Sequence, residues 1–323
     1  MKVAITDYSF PTLEIEEGIL QPAADIVSGQ CKTPETLIPL VAKADAIITQ
    51  FAPLKADVIA AMERARVIVR YGIGVDNVDL EAARAKRIPV CNVPDYCIDE
   101  VADQTLAFIL ATTRQLVPNC LRVRDGKWGL ATPLDQMRAL RDLTVGVVGF
   151  GRIGREVVAR LRPFKCRILV QDPVVAIEDI QRAGAEAANL DTIFTSSDIV
   201  TLHCPSLPQT RGMINRESLN RMKPGVILIN VARGDLVESA ALTAALQQGH
   251  VAAAALDVFA PEPIPADHPI LRMENVIVAS HIASTSVPAV KKLRETAANL
   301  ALAAVQGQPL SNIVNGVADR SHA

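Results

Sequence analysis

Short apolar, β-branched runs recur along the chain at Val3–Thr6, Ala24–Val27, Ala46–Thr49, Val67–Val69 and Pro89–Asn92. Between them lie stretches with helical spacing, Pro34–Ala44, Lys55–Ala61 and Leu80–Ala85. Runs this short, apolar on both faces and bounded by polar turns, are the pattern of strands covered on each side by helices. Their alternation with helices predicts an α/β domain with a parallel sheet in residues 1–100.

A second series follows. Val101, Leu106, Ile109 and Leu110 mark a helix over Asp99–Leu116, long enough to bridge two domains. From Pro118 to Asp142, proline, glycine and charge are mixed with Trp128, in a segment too long and polar for a simple connection. It is a candidate dimer arm, with a mobile surface loop as the alternative. Strands are then predicted at Val145–Val148, Arg167–Gln171, Ile199–His203, Val226–Val231, Ala252–Leu256 and Val276–Ala279. Helices are expected over 155–164, Leu190–Phe194, Glu217–Met222 and Glu238–Gln247. A last helix, Val287–Val305, precedes an apolar tail around Ile313 and Val314 that returns to the first domain. The expected layout is a first substrate-domain segment over 1–100, a nucleotide domain over 101–286, and a linking helix and return over 287–323.

The 323 residues suffice for two separate cores. Half are hydrophobic and only 3% aromatic, as where small aliphatic side chains pack helices on parallel strands. A formal charge of −2 supplies no basic field for nucleic acid or an anionic membrane, which leaves a small molecule as the expected partner. Six cysteines show no CxxC pair and no metal-ligand spacing, so reduced, mostly buried thiols and no metal are expected. The opening MKVAITDYSF has no apolar signal core, and no apolar run approaches the roughly 18 residues of a membrane span. A soluble, cytoplasmic protein is the expectation.

One strand end carries a distinctive turn. Val145–Val148 runs directly into Gly149-Phe150-Gly151-Arg152-Ile153-Gly154. Here Gly149 permits a tight turn, Gly151 lets backbone approach a pyrophosphate, and Gly154 lets the helix pack on the strand. Asp172 closes the next strand, 18 residues after Gly154, where an acid can bind ribose hydroxyls. No Arg or Lys follows until Arg182, so a 2′-phosphate would meet a carboxylate and no cation. The motif therefore points to NAD rather than NADP.

In an open parallel sheet, ligands bind beyond the carboxyl ends of the strands. Those ends deliver Arg233, Asp257 with Glu262 just beyond, and His281. Arg233 offers a planar fork of donors to an α-keto acid and polarises its carbonyl. His281 can give a proton to the carbonyl oxygen and take it back in reverse. Glu262, on the other ring nitrogen, would fix the tautomer and stabilise the imidazolium. Asp257 is placed to meet the cofactor. Among the other histidines, His203 ends a strand and is assigned no chemistry, His268 sits in a loop, and His250 and His322 look like surface residues. The glycine pair in Arg70–Asp79 can form a nest of N–H groups suited to a carboxylate, with a plain turn before a helix capped by Asp79 as the alternative. Phe51, Tyr71, Tyr96 and Trp128 either line a pocket or pack elsewhere.

GFGRIG, VARGDLV at 231–237, ALDVFAPEP at 255–263 and SHIAS at 280–284 resemble the signatures of the D-isomer-specific 2-hydroxyacid dehydrogenases. The similarity runs from about residue 45 to 316. It implies a Rossmann NAD domain inserted into a discontinuous, flavodoxin-like substrate domain, and a homodimer formed through the cofactor domains. It also implies Arg233, Glu262 and His281 as the catalytic set, with the substrate carboxylate on backbone at Ile73 and Gly74. Further NAD contacts are implied at Arg152, Ile153, Asp172, Pro205, Thr210, Val231, Asp257, Ala283 and Gln104.

The activity implied is NAD-dependent oxidoreduction at the CH–OH group of an (R)-2-hydroxy acid, or reduction of a small 2-keto acid such as glyoxylate or hydroxypyruvate. Two alternatives stay open. One is a phosphoglycerate dehydrogenase without a regulatory domain, disfavoured by a Thr49-Gln50-Phe51 loop that is uncharged until Lys55. The other is an NAD(H)-sensing protein resembling the C-terminal-binding-protein corepressors.

Overall fold

The computed structural model describes residues 1–318; residues 319–323, His322 among them, lie outside the described residues. The chain forms two compact units, Met1–Tyr96 together with the chain from Ser286 onward, and Cys97–Thr285.

In the first unit, β1 (Lys2–Ile5), β2 (Asp25–Ser28), β3 (Ala46–Thr49), β4 (Val67–Arg70) and β5 (Val90–Cys91) alternate with α1 (Glu14–Leu20), α2 (Pro34–Val41), α3 (Ala56–Ala60) and α4 (Leu80–Ala85). All strands pair in parallel in the order β2-β1-β3-β4-β5, the flavodoxin-like order. Because successive side chains point to opposite faces, each strand feeds two cores. Val3, Ile5, Ala46, Ile48, Val67 and Val69 share one with Leu20 of α1 and Leu293, Ala297 and Leu300 of the last helix. Ala4, Ile47, Ile68 and Val90 share the other with Leu37, Val58 and Ala83. The tail returns along β5. There Asn315 is fully buried, its Oδ1 accepting from the Val90 amide at 3.1 Å and its Nδ2 donating to the Ile88 carbonyl at 2.9 Å. A Cys91–Ile313 antiparallel bridge covers the sheet edge.

The helix α1 carries no apolar stripe that would announce it. Its two buried residues are Leu20 and Glu16, a carboxylate at a core position, so hydrophobic periodicity is lost there.

The second unit opens with α5 (Ile98–Thr113) and α6 (Leu116–Arg124). It continues as β6 (Thr144–Val148), α7 (Arg152–Leu161), β7 (Arg167–Gln171), α8 (Ile177–Arg182), β8 (Glu186–Ala187), α9 (Leu190–Ser196), β9 (Ile199–Leu202), α10 (Arg216–Arg221), β10 (Val226–Asn230), α11 (Ser239–Gln247), β11 (Val251–Leu256) and β12 (Val276–Val278). The final helix, α12 (Val287–Gln306), belongs to the first unit. Seven parallel strands run β12-β11-β10-β9-β6-β7-β8, so the winding direction reverses between β6 and β9, the position at which doubly wound sheets open a ligand crevice.

Two expectations change. The segment from Pro118 is not irregular throughout, since Leu116–Arg124 is helical; Gln115 takes a left-handed conformation that ends the preceding helix, and Pro118 falls in the first turn, where its missing N–H costs no bond. The cysteines are not mostly buried. Only Cys91 and Cys97 are, while Cys120 is exposed and Cys31, Cys166 and Cys204 are intermediate. Among the described residues, no helix is long and apolar enough to cross a membrane.

The amino-terminal edge of the larger sheet is tied by one carboxylate. Asp198, just before β9, accepts from the Thr144 amide at 2.8 Å, Lys223 Nζ at 2.6 Å and Arg138 Nη1 at 3.2 Å. Burial pushes this carboxyl up, but the Lys223 ammonium, the Thr144 N–H and the Arg138 guanidinium outweigh it and hold it below the usual carboxylate range. A folded-state value below the unfolded one stabilises the protein above the usual carboxylate range, and the contribution is lost as the pH falls through that range. Asp198→Asn is expected to cost about 1.5–3 kcal/mol at neutral pH, seen as a fall of several degrees in Tm. Thermal melts should show that deficit shrinking below about pH 4.

Candidate active site

At the carboxyl end of β6 the three glycines do different work. Gly149 has φ +97°, and a Cβ there would lie 2.7 Å from the Cys204 nitrogen, so both conformation and space require glycine. A Cβ on Gly154 would stand 2.2 Å from the Gly149 carbonyl oxygen, which is how closely α7 seats on its own turn. A Cβ on Gly151, the residue before α7, would meet nothing within 4 Å. The unmet first-turn amides of α7 lie beside that opening, a cradle that fits a pyrophosphate.

Asp172, the first residue after β7, accepts from the Phe150 amide at 2.7 Å and from the Val174 and Val175 amides at 2.9 and 3.2 Å. It therefore pins the glycine turn to the loop that follows β7. Arg152 is exposed and Ile153 half-buried at the start of α7, while the Arg155 guanidinium lies 4.5 Å over the Phe150 ring. The other expected cofactor residues fall on the same unit. Thr210 Oγ1 donates to the Pro205 carbonyl at 2.7 Å, Val231 and Ala283 are buried next to their strand ends, and Gln104 is half-buried on α5.

Beyond β10, β11 and β12 a histidine, a glutamate and an arginine converge. His281 Nδ1 and Glu262 Oε2 are 2.8 Å apart, and Glu262 Oε1 accepts from the Phe259 amide at 2.9 Å. Burial raises the Glu262 carboxyl, but the hydrogen bond and charge of His281, the Phe259 N–H and the charge of Arg233 together hold it below its ordinary value. A carboxylate on Nδ1 fixes the tautomer and the orientation of the ring. Arg233 stands close enough to act on that carboxylate. Its Nη1 donates to the Ala232 carbonyl at 2.8 Å, and Asn230 at the end of β10 braces the turn by donating to the Arg233 carbonyl at 2.8 Å. The next residue locks the two loops together, because a Cβ on Gly234 would lie 2.0 Å from the Phe259 carbonyl carbon.

Asp257 shows a role that its position in the sequence did not disclose. Its side chain is 1% exposed, with Oδ1 accepting from the Ile282 amide and Oδ2 from the Ala283 amide, each at 2.9 Å. Its carbonyl accepts from the His281 amide at 2.8 Å. Burial pushes the carboxyl up, opposed by the Ala283 and Ile282 N–H groups. This clamp holds His281 at φ +59°, a conformation uncommon for a residue with a side chain. Asn230 was likewise missed, although a polar side chain closing a buried strand is a signal of local backbone bonding.

His203 is a half-buried ring. Nε2 pairs with Thr201 Oγ1 at 2.9 Å, Nδ1 is buried with no partner among the described residues, and burial pushes the pKa down to about 3. His250 is not a plain surface residue, since its Nε2 bonds the Leu219 carbonyl at 2.8 Å, and His268 accepts from the Ile270 amide at 3.2 Å.

In the first unit, the carboxyl ends of β3, β4 and β5 assemble the loop at Gly72–Gly74. Asn92 Nδ2 donates to the Ile73 carbonyl at 2.7 Å and the Val93 amide to the Gly72 carbonyl at 3.0 Å. Among the described residues no protein group accepts from the Ile73 or Gly74 amides. Of the aromatic candidates, Tyr71 is buried in the core and Tyr96 packs against it, whereas Phe51 and Trp128 are exposed.

Residues 106–283 match the NAD binding domain of the D-isomer specific 2-hydroxyacid dehydrogenases. The chain belongs to this family. Among relatives of this chain, the glyoxylate reductase of Korarchaeum cryptofilum is 36% identical over 284 residues, 87% of this chain and 86% of that protein. The D-3-phosphoglycerate dehydrogenase of Archaeoglobus fulgidus is 36% identical over 282 residues, 87% of this chain and 53% of that protein. The chain thus spans about half the length of that relative and of several others it matches. The crystal structure of D-lactate dehydrogenase from Aquifex aeolicus, complexed with NAD and lactic acid, superposes with a TM-score of 0.86 at 30% identity, covering 94% of this chain and 96% of that one.

Gly154→Ala is expected to force α7 off its turn, an overpacking cost of about 1–3 kcal/mol. NADH affinity should fall roughly 10- to 100-fold by fluorescence titration, with circular dichroism unchanged. An unaltered affinity would remove the cradle from the account.

Proposed function

We propose that this family member is an NAD-dependent (R)-2-hydroxyacid dehydrogenase working on small 2-hydroxy or 2-keto acids such as glyoxylate or hydroxypyruvate. The observation that carries the proposal is the hydrogen-bonded His281–Glu262 pair, with Arg233 beside it, on the carboxyl edge of a sheet whose glycine turn is shaped for a dinucleotide. NAD(H), when bound, supplies or takes up the hydride at the substrate carbon. Arg233 draws on the substrate's carbonyl and carboxylate oxygens through its guanidinium fork. His281 Nε2 delivers the proton that the carbonyl oxygen needs on reduction and removes it on oxidation. Glu262 orients the ring through Nδ1 and balances the charge that the ring carries when protonated. Ile73 and Gly74 offer their amides to the substrate carboxylate.

Asp172 supports NAD over NADP. Both of its oxygens already accept backbone N–H groups, and a 2′-phosphate brought to this carboxylate would add like charge. For assembly, α6 and the segment after it favour a homodimer through the cofactor unit. No residue of this helix is buried, and Leu116, Leu121, Trp128, Leu130 and Leu134 are all exposed, Trp128 at 90%. So much uncovered apolar surface on one segment fits a second copy of the chain. The six thiols, none in a disulfide, fit a reducing, cytoplasmic setting.

Purified protein is expected to oxidise NADH with at least one of glyoxylate, hydroxypyruvate, 2-ketobutyrate and phenylpyruvate. His281→Ala should lose about 10²- to 10⁴-fold in kcat by removal of the general acid, with NADH affinity retained. No turnover by the wild-type protein, with tight NADH binding, would move the assignment to a cofactor-sensing binding protein.

A further inference from the structure

The first unit buries an ionic network that the reaction chemistry does not use. Glu16 on α1 has no exposed surface. Arg294 on α12 grips it bidentately, with Nε 2.9 Å from Oε1 and Nη2 2.6 Å from Oε2, and Nη2 also donates to the Thr12 carbonyl at 2.6 Å. Tyr71 Oη donates to Glu16 Oε1 at 2.9 Å. Phe10 closes the group, its ring 4.8 Å under the Arg294 guanidinium and edge-on to Tyr71 with centroids 5.4 Å apart. Burial and the neighbouring Glu16 charge push the Tyr71 hydroxyl up, so it remains a donor throughout the working pH range.

A buried ion pair is no better for stability than apolar residues of the same shape; what it adds is direction, because each partner is satisfied in one arrangement only. The direction here is imposed on Tyr71, the residue at which the chain leaves β4. Its amide donates to the Thr49 carbonyl at 2.8 Å, and the next two carbonyls, of Gly72 and Ile73, are held by the Val93 amide and Asn92 Nδ2. In a trans peptide the C=O and the following N–H point in opposite directions. Holding the Gly72 and Ile73 carbonyls toward the β5 side therefore aims the Ile73 and Gly74 amides away from it together. Tyr71 anchors the start of that run of peptide planes.

We propose that Glu16, Arg294 and Tyr71 are positioning residues that fix the Tyr71–Gly74 backbone for the substrate carboxylate. The inference rests on the proposed use of the Ile73 and Gly74 amides. Tyr71→Phe keeps the ring and its packing and removes only the hydroxyl. It should raise KM for the 2-keto acid roughly tenfold while leaving kcat and NADH affinity within about twofold, and should speed hydrogen–deuterium exchange in a peptide covering residues 72–75. Arg294→Lys, which keeps the charge but loses the fork, should fall between wild type and Arg294→Met in both readouts. Unchanged KM and unchanged exchange in Tyr71→Phe, whatever the Tm, would overturn the proposal. A wild-type protein without turnover would overturn the carboxylate reading instead, and the exchange comparison would then still decide whether the network fixes the loop.

Discussion

An aspartate accepting backbone N–H groups at the carboxyl end of a parallel strand is the interaction on which the candidate site depends. Loops leave the sheet there without ladder partners, and their amides need acceptors. Asp257 after β11 supplies two to Ile282 and Ala283, and Asp172 after β7 holds Phe150, Val174 and Val175. In the first unit Asp7 after β1 holds the Gln50 and Phe51 amides at 2.9 and 2.6 Å. A hydrogen bond to a charged acceptor contributes about 1.5–3 kcal/mol, enough for two or three of them to hold a loop in a conformation it would not choose alone. His281 at positive φ is such a case.

The groups of the candidate site inherit their geometry from these anchors. The Asp257 clamp presents the His281 ring to Glu262, and the contact between Gly234 and the Phe259 backbone brings the arginine turn against the loop that carries Glu262. His281, Glu262 and Arg233, the groups of the proposed chemistry, thus come from three strand ends of one sheet. A shift in any one loop would be felt by the other two.

Much of this was legible in the sequence where local chemistry forces a residue type. The Gly149–Gly154 spacing reports a turn that a side chain would block, and short apolar runs mark the strands of both sheets except the two-residue edge strand β8, Glu186–Ala187, which is not apolar. The helices α1 and α6 were not legible, for opposite reasons. One buries a carboxylate where the pattern needs an apolar residue, and the other buries nothing. At Asp257 the sequence shows that an acid stands at a strand end and not that its carboxylate turns back onto the Ile282 and Ala283 amides. The Glu16–Arg294 pair spans 278 positions, and no local pattern relates residues so distant.

The measurement closest to the central claim is the chirality of the product when the wild-type protein reduces hydroxypyruvate with NADH. The account requires D-glycerate, formed as NADH is consumed in equal amount. L-glycerate would contradict it, as would the absence of turnover with glyoxylate, hydroxypyruvate, 2-ketobutyrate and phenylpyruvate alike by protein that binds NADH tightly.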